Sequence, residues 1–442
     1  MPSWWNYGKL RLSYGIVGKC SWKTYTANIV YEQGSDNGFT WEHHSLFMGE
    51  CRYPSREKKY EYEIGLESKF LNNRLGIDVS YYNNRVKDQI LSTPQPSTSG
   101  VKNVLMNVGE VANHGWDISI SATPILTRDF RWDLTANYGV YKNKVVKLAD
   151  GVPYLEILNS GGSGIKIQAV EGQPMGDIYA QVPQVNENGE YLVSDKGLYL
   201  NQTELQKVGN INPAGVGGLF NSFSYKNVFL DFSIDFRIGG DVINEMNQYA
   251  TAVGLTPESL KYRDTEHGGL SYYYPGDNSS SGIPVQVDPS TGVGPNGEII
   301  YHDGIILPGV VASTGERNTR IIPAGYYYNT TYNWGTEAEQ LTYRHSVFDN
   351  SYVKLRELTI GYQFPEKMIS KLGLGRLSVS VFGRNLFYFY KALKKLRCGV
   401  VRRNILGQPG YRGKFYHSYP QFRCFTSCKF LTKQPSKNEK RV

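Results

Sequence analysis

The sequence predicts an all-β fold, an antiparallel transmembrane β-barrel, from three observations. The first is alternation in residues 227–239, where apolar side chains take every second position: Val228, Leu230, Phe232, Ile234, Phe236 and Ile238. A strand sends alternate side chains to opposite faces, so this segment has one apolar and one polar face. The second is length, since about ten tilted residues cross the hydrocarbon of a bilayer. The third is composition: 34 Tyr and 18 Phe suit strands, and no run of about eighteen apolar residues offers a transmembrane helix.

Four hairpins with the same alternation follow one another along the chain. Their predicted ranges are 60–86, 116–140, 219–238 and 358–381. Asn72 and Asn73 mark the turn of the first hairpin. Weaker strand patterns at 11–17 and 25–31 bring the prediction to about ten strands.

The connections between these hairpins are unequal in length. Short turns alternate with long loops rich in Gly, Pro, Asn and Tyr, notably 149–218 and 239–350. Outer-membrane barrels have this asymmetry, with short periplasmic turns and long extracellular loops. A soluble β-sandwich keeps its strands at closer and more even spacing, so the asymmetry favours a barrel.

Basic residues and cysteines are concentrated near the C-terminal end. Residues 391–442 hold 14 Lys and Arg against one acid, Glu439, which leaves 34 of the 48 basic and 39 of the 40 acidic residues to the first 390. Cys398, Cys424 and Cys428 lie in the same tail, without the paired spacing of a zinc site. The opening residues show no secretory signal, and we expect the true start of the protein to be missing.

Nine short segments within residues 8–390 carry a family resemblance. They are 9–15 (KLRLSYG), 62–66 (YEIGL), 70–75 (FLNNRL), 107–109 (NVG), 115–117 (GWD), 209–213 (GNINP), 225–227 (YKN), 351–365 (SYVKLRELTIGYQFP) and 383–386 (GRNL). Each alone is weak. Together, and in this order, they resemble the C-terminal half of SusC/RagA-type TonB-linked outer-membrane transporters of the Bacteroidetes.

The resemblance implies part of a large, plugged barrel of the 22-stranded class, of which about ten strands are present here. It implies TonB-dependent nutrient import across the cell outer membrane, of an oligosaccharide in preference to a peptide, with no bond chemistry and no cofactor. The partners it implies are a SusD-like surface lipoprotein acting as a lid, the TonB complex acting through the missing N-terminal part, the glycan or peptide ligand and outer-membrane lipid. Nucleic acid is not among them.

We therefore predict two parts in the chain. Residues 1–390 form a partial C-terminal half of a TonB-dependent receptor β-barrel. Residues 391–442 form an aberrant basic tail outside the native barrel, because family chains end on a strand with a final aromatic residue. An abrupt change in charge at this point is typical of a shifted reading frame. The alternative is a genuine basic tail that contacts nucleic acid or anionic lipid.

Aromatic residues in the long 239–350 loop are the predicted substrate contacts. They are Tyr272, Tyr273, Tyr274, Tyr326, Tyr327, Tyr328 and Trp334. Aromatic faces stack on the apolar faces of sugar rings, and the tyrosine hydroxyl adds a hydrogen bond, so this composition suits a glycan. The alternative is that these side chains pack the loop on itself or against the lid lipoprotein.

Other polar clusters favour structural roles. We expect Lys354, Arg356 and Glu357 to tie neighbouring strands together. Asp264 and His267, with Glu266 between them, lack a second cluster at metal-like spacing. The chain has neither a Gly-x-Ser-x-Gly elbow nor a dinucleotide fingerprint, so no catalytic, cofactor-binding or metal residues are predicted and the protein is not expected to be an enzyme.

Two other classes of protein share parts of this pattern. A soluble carbohydrate-binding or hydrolytic β-sandwich would bury the apolar strand faces against a second sheet. A surface adhesin or passive pore would have the same wall without a plug. Exposure of the apolar face separates the first of these from a membrane barrel.

Overall fold

The computed structural model describes most of the chain. The described residues are 2–19, 30–36, 39–45, 56–94, 103–107, 109–148, 151–159, 164–276, 282–333, 343–370, 374–393 and 421–430. Strands dominate these residues, in agreement with the predicted all-β class. None of the helices among them is long and apolar enough to cross a membrane.

The elements follow the chain in this order. The strands are β1 (Trp5–Lys19), β2 (Val30–Asp36), β3 (Phe39–Ser45), β4 (Glu57–Phe70), β5 (Leu75–Lys87), β6 (Ile90–Pro94), β7 (Asn103–Asn107), β8 (Glu110–Leu126), β9 (Phe130–Lys147), β10 (Tyr154–Asn159), β11 (Ile165–Val170), β12 (Asp177–Ala180), β13 (Leu192–Val193), β14 (Gln206–Asn210), β15 (Pro213–Tyr225), β16 (Val228–Gly239), β17 (Asp241–Ile243), β18 (Leu270–Tyr273), β19 (Val285–Gln286), β20 (Tyr301–Ile305), β21 (Val310–Val311), β22 (Ile322–Pro323), β23 (Val347–Asp349), β24 (Tyr352–Gln363), β25 (Leu374–Lys391) and β26 (Gln421–Phe430). The α-helices are α1 (Glu245–Ala252), α2 (Ala324–Tyr332) and α3 (Glu366–Ile369), and the 3-10 turns are Pro257–Leu260, Thr265–His267 and Tyr343–Ser346.

Ten of the strands form one continuous sheet. Its order is β1-β4-β5-β8-β9-β15-β16-β24-β25-β26, and every neighbouring pair is antiparallel. The four predicted hairpins are β4–β5, β8–β9, β15–β16 and β24–β25, so their existence and their pairing are confirmed. The sheet is that of a partial antiparallel barrel, as the alternation predicted.

The register of this sheet aligns side chains of like polarity in rows across the strands. One row consists of Val79, Ile118, Tyr138, Gly217, Phe236 and Val353. The adjacent row, on the other side of the sheet, consists of Asp78, Ser119, Asn137, Gly218, Asp235 and Lys354. We call the side with the first row the apolar face and the side with the second row the polar face. Register is fixed because a slip by one residue would exchange the two faces.

The apolar face is uncovered in the part of the chain that the structure describes. Leu12 in β1 is 70% exposed, Leu66 in β4 is 50% exposed and Ile360 in β24 is 53% exposed. A two-layer sandwich would bury these side chains against a second sheet. The exposure therefore disfavours the soluble sandwich and matches a wall that meets lipid.

A β-bulge at Arg356 reverses the alternation of β24. The register with β25 shifts between Leu355 and Glu357, and the register with β16 shifts at the same level. Val353 and Leu355 lie on the apolar face before the bulge, and even-numbered residues such as Leu358 take their place after it. One extra residue in a bulge reverses the side-chain order in this way.

Short turns join the hairpins at one end of the sheet. Between β4 and β5 the backbone of Leu71, Asn72 and Asn73 has φ of 54°, 55° and 62°. Asparagine tolerates this left-handed region better than most residues, so the predicted Asn-Asn turn fits its backbone. The long connections join the strands at the opposite end of the sheet.

Most of the buried apolar core lies in the two long connections. The first, 148–212, holds a four-stranded sheet in the order β10-β11-β12-β14, with a core of Ile165, Ile167, Ile178 and Ala180. The second, 240–351, holds a sheet in the order β19-β18-β20-β22 together with α1 and α2. We call the two connections together the loop layer.

Candidate functional site

The two connections of the loop layer share backbone pairing and a core. β13 in the first pairs in parallel with β21 in the second. Leu198 is fully buried and packs with three residues of the second connection: Ile305, Leu307 and Ile322. The Tyr199 hydroxyl donates a 3.1 Å hydrogen bond to the Pro308 carbonyl. The two connections therefore act as one folded unit.

A cavity of about 370 Å³ lies at this junction, and we call it the tyrosine cavity. Five tyrosines line it: Tyr199 from the first connection, and Tyr262, Tyr327, Tyr328 and Tyr332 from the second. Leu270, Ile305, Leu307 and Pro308 supply apolar wall, and Glu258 and Lys261 supply charge. The volume lies at the lower end of the range for small-molecule sites.

Helix α2 positions three of these tyrosines. Tyr328 and Tyr332 are four residues apart and lie on one helical face, with ring centroids 5.8 Å apart. Tyr327 lies 5.1 Å from Tyr328 by centroids. The α2 helix packs on α1 through Ala252, and the Tyr328 hydroxyl donates a 2.7 Å hydrogen bond to the Glu258 carbonyl. Packing against α1 and the hydrogen bond of Tyr328 thus hold these rings in place.

Four of the cavity tyrosines stay protonated at physiological pH. Burial raises the pKa of Tyr199, Tyr327 and Tyr328 to about 12, and it also raises the pKa of Tyr332. A neutral tyrosine hydroxyl both donates and accepts hydrogen bonds. The wall therefore combines aromatic faces with hydroxyl groups that carry no charge.

The two charged side chains of the cavity neutralise each other. Lys261 Nζ lies 2.8 Å from Glu258 Oε1, and this hydrogen bond raises the pKa of Lys261 above its ordinary value. Both side chains are partly exposed to solvent. The edge of the cavity thus has two charged groups that can form hydrogen bonds, but their charges sum to zero.

The structure separates the predicted tyrosine contacts into buried and accessible groups. Tyr272 and Tyr274 are 2% and 5% exposed and form a core with Ile321. The Tyr272 hydroxyl donates a 3.0 Å hydrogen bond to Asp303. This arrangement corresponds to the alternative in which the tyrosines pack the loop on itself. Tyr273, between them, is partly buried.

The remaining predicted contacts lie on or near α2. Tyr327 and Tyr328 line the cavity, although Tyr328 is only 5% exposed. Tyr326 is 40% exposed on the helix surface. Trp334 lies outside the described residues. Ligand contact by these seven residues stays a prediction.

Sequence reasoning missed three of the five cavity tyrosines. Tyr332 was detectable, because it follows Tyr328 by four residues and both would share one face of a helix. Tyr199 and Tyr262 lie outside the two tyrosine triplets, and Tyr199 belongs to a different connection. Only the packing of the two connections brings these rings together.

The polar face carries ion pairs between strands. Arg11 donates hydrogen bonds of 3.0 and 2.5 Å to the two carboxylate oxygens of Asp78, two strands away. Gly65 on the intervening strand makes room, because a Cβ there would lie 2.8 Å from Arg11 Nη2. A carboxylate that accepts both hydrogen bonds fixes the guanidinium in one orientation.

The family-like segment of β24 also ties strands together. Arg356 lies 3.5 Å from Asp235 of β16, and Glu357 lies 3.4 Å from Arg384 of β25. Lys354 is 6% exposed, with its ammonium group over the rings of two neighbouring tyrosines. These contacts fit the structural role expected for the segment.

Two polar pairs in the loop layer have the composition of a reactive site without its geometry. Ser271 Oγ lies 2.8 Å from His302 Nδ1, but Ser271 is 1% exposed, so a substrate cannot reach its hydroxyl. Asp264 caps a 3-10 turn by accepting hydrogen bonds from the His267 backbone and ring, which lowers the pKa of Asp264. Within the described ranges, no group of three or more His, Cys, Asp or Glu residues could hold a metal.

Comparison with known proteins gives matches over most of the chain. The family described as "TonB dependent receptor-like, beta-barrel" matches residues 55–386. TonB-dependent receptor P3 of Formosa agariphila is 25% identical over 405 residues, which is 84% of this chain and 33% of that protein. TonB-dependent receptor SusC of Bacteroides thetaiotaomicron is 29% identical over 250 residues, 52% of this chain and 24% of that protein.

Solved structures give a similar result for the fold. The structure of the RagAB peptide transporter aligns with a TM-score of 0.56 and 18% identity, over 88% of this chain and 38% of the other. The chain therefore spans about a third of the length of the relatives that it matches.

Proposed function

Because the chain belongs to the TonB-dependent receptor-like β-barrel family, we propose that it contributes the wall and ligand-contacting loops of an outer-membrane importer for oligosaccharides. Proteins of this family are transporters and receptors rather than enzymes, and they reside in the outer membrane, as this chain does. The proposal concerns the cargo, the partners and the residues that contact them.

The uncovered apolar face is the single observation that carries this proposal. A water-soluble protein rarely exposes a contiguous apolar surface of this extent, whereas a barrel wall must do so to meet acyl chains. The polar face then borders the lumen, where charged and hydroxylated side chains are hydrated. A ligand can pass along such a face without crossing hydrocarbon.

The aromatic composition of the loop layer supports a glycan as cargo. Tyr326 is accessible, and Tyr327 and Tyr328 border a cavity with apolar walls and hydroxyl groups. We propose that Tyr273 and Trp334 also contact the ligand. Tyr272 and Tyr274, which are buried, would then shape the surface from beneath. A peptide is the second candidate, because the RagAB structure to which this chain is similar is that of a peptide transporter.

The proposed partners follow from the same relatives. They are a SusD-like surface lipoprotein that covers the loop layer and the TonB complex that supplies energy. The curated relatives are about three to four times as long as their match to this chain, and we propose that TonB acts through an N-terminal part outside these 442 residues. In this mechanism the protein forms and breaks no bonds in the ligand.

Deletion of the gene in the bacterium that carries it tests the proposal. We expect loss of growth on one class of neutral oligosaccharide, with unchanged growth on its monosaccharide and on peptides, and recovery when the intact gene is restored. Loss of growth on peptides alone would indicate that the imported cargo is a peptide and not a glycan. Unchanged growth on every oligosaccharide and peptide supplied would contradict an importing role.

A further inference from the structure

We infer that the tyrosine cavity is a subsite for one or two uncharged sugar rings, and that Tyr262 is the residue that determines its specificity. This inference rests on the proposed import of oligosaccharides and names the part of the loop layer that holds them.

Tyr262 has a backbone conformation that tyrosine rarely adopts. Its φ is 63°, in the left-handed region where a bulky side chain is strained and glycine or asparagine is favoured. A hydrogen bond holds this conformation, since the Tyr262 N–H donates to the His267 carbonyl over 2.9 Å. Strained backbone that persists in this way is concentrated at binding and catalytic sites.

The ring of Tyr262 spans the two halves of the cavity wall. It packs on the Leu198 core, which joins the two connections, and on the Tyr328 and Tyr332 pair of α2. Its side chain is only partly buried and lines the cavity.

The charge at the cavity edge selects a neutral ligand. Among the described residues that line the cavity, the acidic and basic side chains are Glu258 and Lys261, and these are paired with each other. An anionic ligand would have to take Lys261 away from Glu258, and a cationic ligand would have to do the reverse. Neutral hydroxyl groups can hydrogen-bond to both without separating the pair.

The wall suits rings that have apolar faces and hydroxylated edges. Tyr327 and Tyr332 meet nearly edge to face, with an interplanar angle of 85°, so the cavity presents aromatic surface in two directions. Apolar side chains such as Leu307 also line the cavity. The volume of about 370 Å³ is that of a subsite for a short part of a chain rather than a whole oligosaccharide.

Equilibrium binding to the full chain in lipid nanodiscs tests the inference. The probes are neutral hexo-oligosaccharides of several linkages, an oligogalacturonate as the anionic counterpart, a chitosan oligosaccharide as the cationic counterpart and an uncharged hexapeptide. We expect the wild type to prefer a neutral oligosaccharide over both charged sugars and over the peptide by about tenfold or more.

Variants at Tyr262 separate a ligand-contacting ring from a packing residue. Tyr262→Gly removes the ring and relieves the backbone strain, so the loop layer keeps its fold while affinity for the neutral probe falls about tenfold. Tyr262→Phe keeps the ring and retains affinity within about threefold. Tyr154→Ala is the matched control, because Tyr154 is a loop-layer tyrosine that is 45% exposed and lies outside the cavity.

Lys261→Gln tests the charge argument independently of Tyr262. The substitution removes the ammonium group from the side of Glu258, and we expect the chitosan probe to gain affinity relative to wild type while the oligogalacturonate stays weak. Unchanged binding in both Tyr262→Gly and Lys261→Gln, with a wild type that binds the neutral sugar, would overturn this inference and leave oligosaccharide import standing. A wild type that binds only the peptide would overturn both.

Discussion

The sheet and the loop layer treat their apolar side chains in opposite ways. Leu12 and Ile360, on the apolar face of the sheet, are 70% and 53% exposed, whereas Leu198 in the loop layer is fully buried. The loop layer excludes water from its core, as a small soluble domain does. Among the described residues no second layer of protein covers the apolar face of the sheet, and the lipid of the outer membrane is the solvent that suits its side chains.

This contrast shows why one chain needs two kinds of stability. The wall depends on the match between its apolar face and the hydrocarbon around it, and on hydrogen bonds between strands. The loop layer depends on close packing between two connections that are far apart in sequence. Substitutions in the sheet and in the loop layer should therefore change stability for different physical reasons, and different measurements detect them.

The largest expected effect is a charge placed on the apolar face. Phe232→Arg should destabilise the inserted sheet by up to about 4 kcal/mol, because a cation near the bilayer midplane must be desolvated. Urea unfolding of the protein in lipid vesicles measures this change. Ser233→Arg is the matched control, since Ser233 lies on the polar face opposite Glu357. Equal destabilisation by the two variants would contradict the assignment of the faces.

The next effect concerns the junction of the two connections. Leu198→Ala should cost the loop layer about 3 kcal/mol, because it leaves a cavity in a fully buried core. Hydrogen exchange should then accelerate in β13 and β21, with little change in β15 and β16. Leu255→Ala is the control, because Leu255 is 78% exposed and should change stability by less than about 0.5 kcal/mol. Faster exchange across the whole sheet would show that the two regions are not independent.

A pH effect is expected in the loop layer through His345. This ring stacks on Tyr332 with centroids 4.6 Å apart, and burial, helped by the charge of Arg344, lowers the pKa of His345 to about 4. The folded state thus disfavours protonation of His345. The contribution of the neutral ring to folding stability is therefore complete above the unfolded-state pKa of about 6.5, and it declines as the pH falls toward 4. We expect a loss of roughly 2 kcal/mol by pH 4.5, after allowance for the partial exposure of the ring.

Thermal unfolding of the loop layer between pH 7 and pH 4.5 measures this effect. In His345→Gln the decline across this window should be much smaller. Arg344→Gln should raise the folded-state pKa of His345, so the decline should end at a higher pH and its total size should be smaller, because one cause of the low pKa is removed. A wild type and a His345→Gln variant with the same pH profile would contradict the linkage.

The smallest expected effect is at the ion pair of Arg11 and Asp78. Both side chains are about one-third exposed, so water screens the pair and their coupling should be below about 1 kcal/mol. A double-mutant cycle with Arg11→Gln and Asp78→Asn, at low and high salt, measures it. A coupling above about 2 kcal/mol would mean that the polar face excludes water more strongly than its exposure indicates.

The alternation of side chains was sufficient to predict the hairpins of the sheet. Residues such as Phe232 and Ser233 have opposite environments for a local reason, since successive side chains of a strand point to opposite faces. The bulge at Arg356 escaped prediction because its register shift depends on the neighbouring strands. The division of the chain at residue 390 stays a prediction, while β26 pairs with β25 in the sheet.

The candidate site was harder to predict from the sequence than the hairpins were. The tyrosine triplets led to Tyr327 and Tyr328 of the cavity wall, but the same reasoning could not distinguish them from Tyr272 and Tyr274, which lie in a core. Exposure in a loop depends on what the loop packs against. That information is spread over residues more than a hundred positions apart, as the contact of Tyr199 with Pro308 illustrates.

By itself the sequence determined the four hairpins of the sheet, which of their residues share a face and that one face must avoid water, because all three follow from a two-residue period and from side-chain polarity. The tertiary structure alone decided which tyrosines line a cavity, how Glu258 and Lys261 pair at its edge and that Tyr262 is held at a positive φ. These features arise where two irregular connections pack together, and no local repeat records the partners that such packing brings into contact.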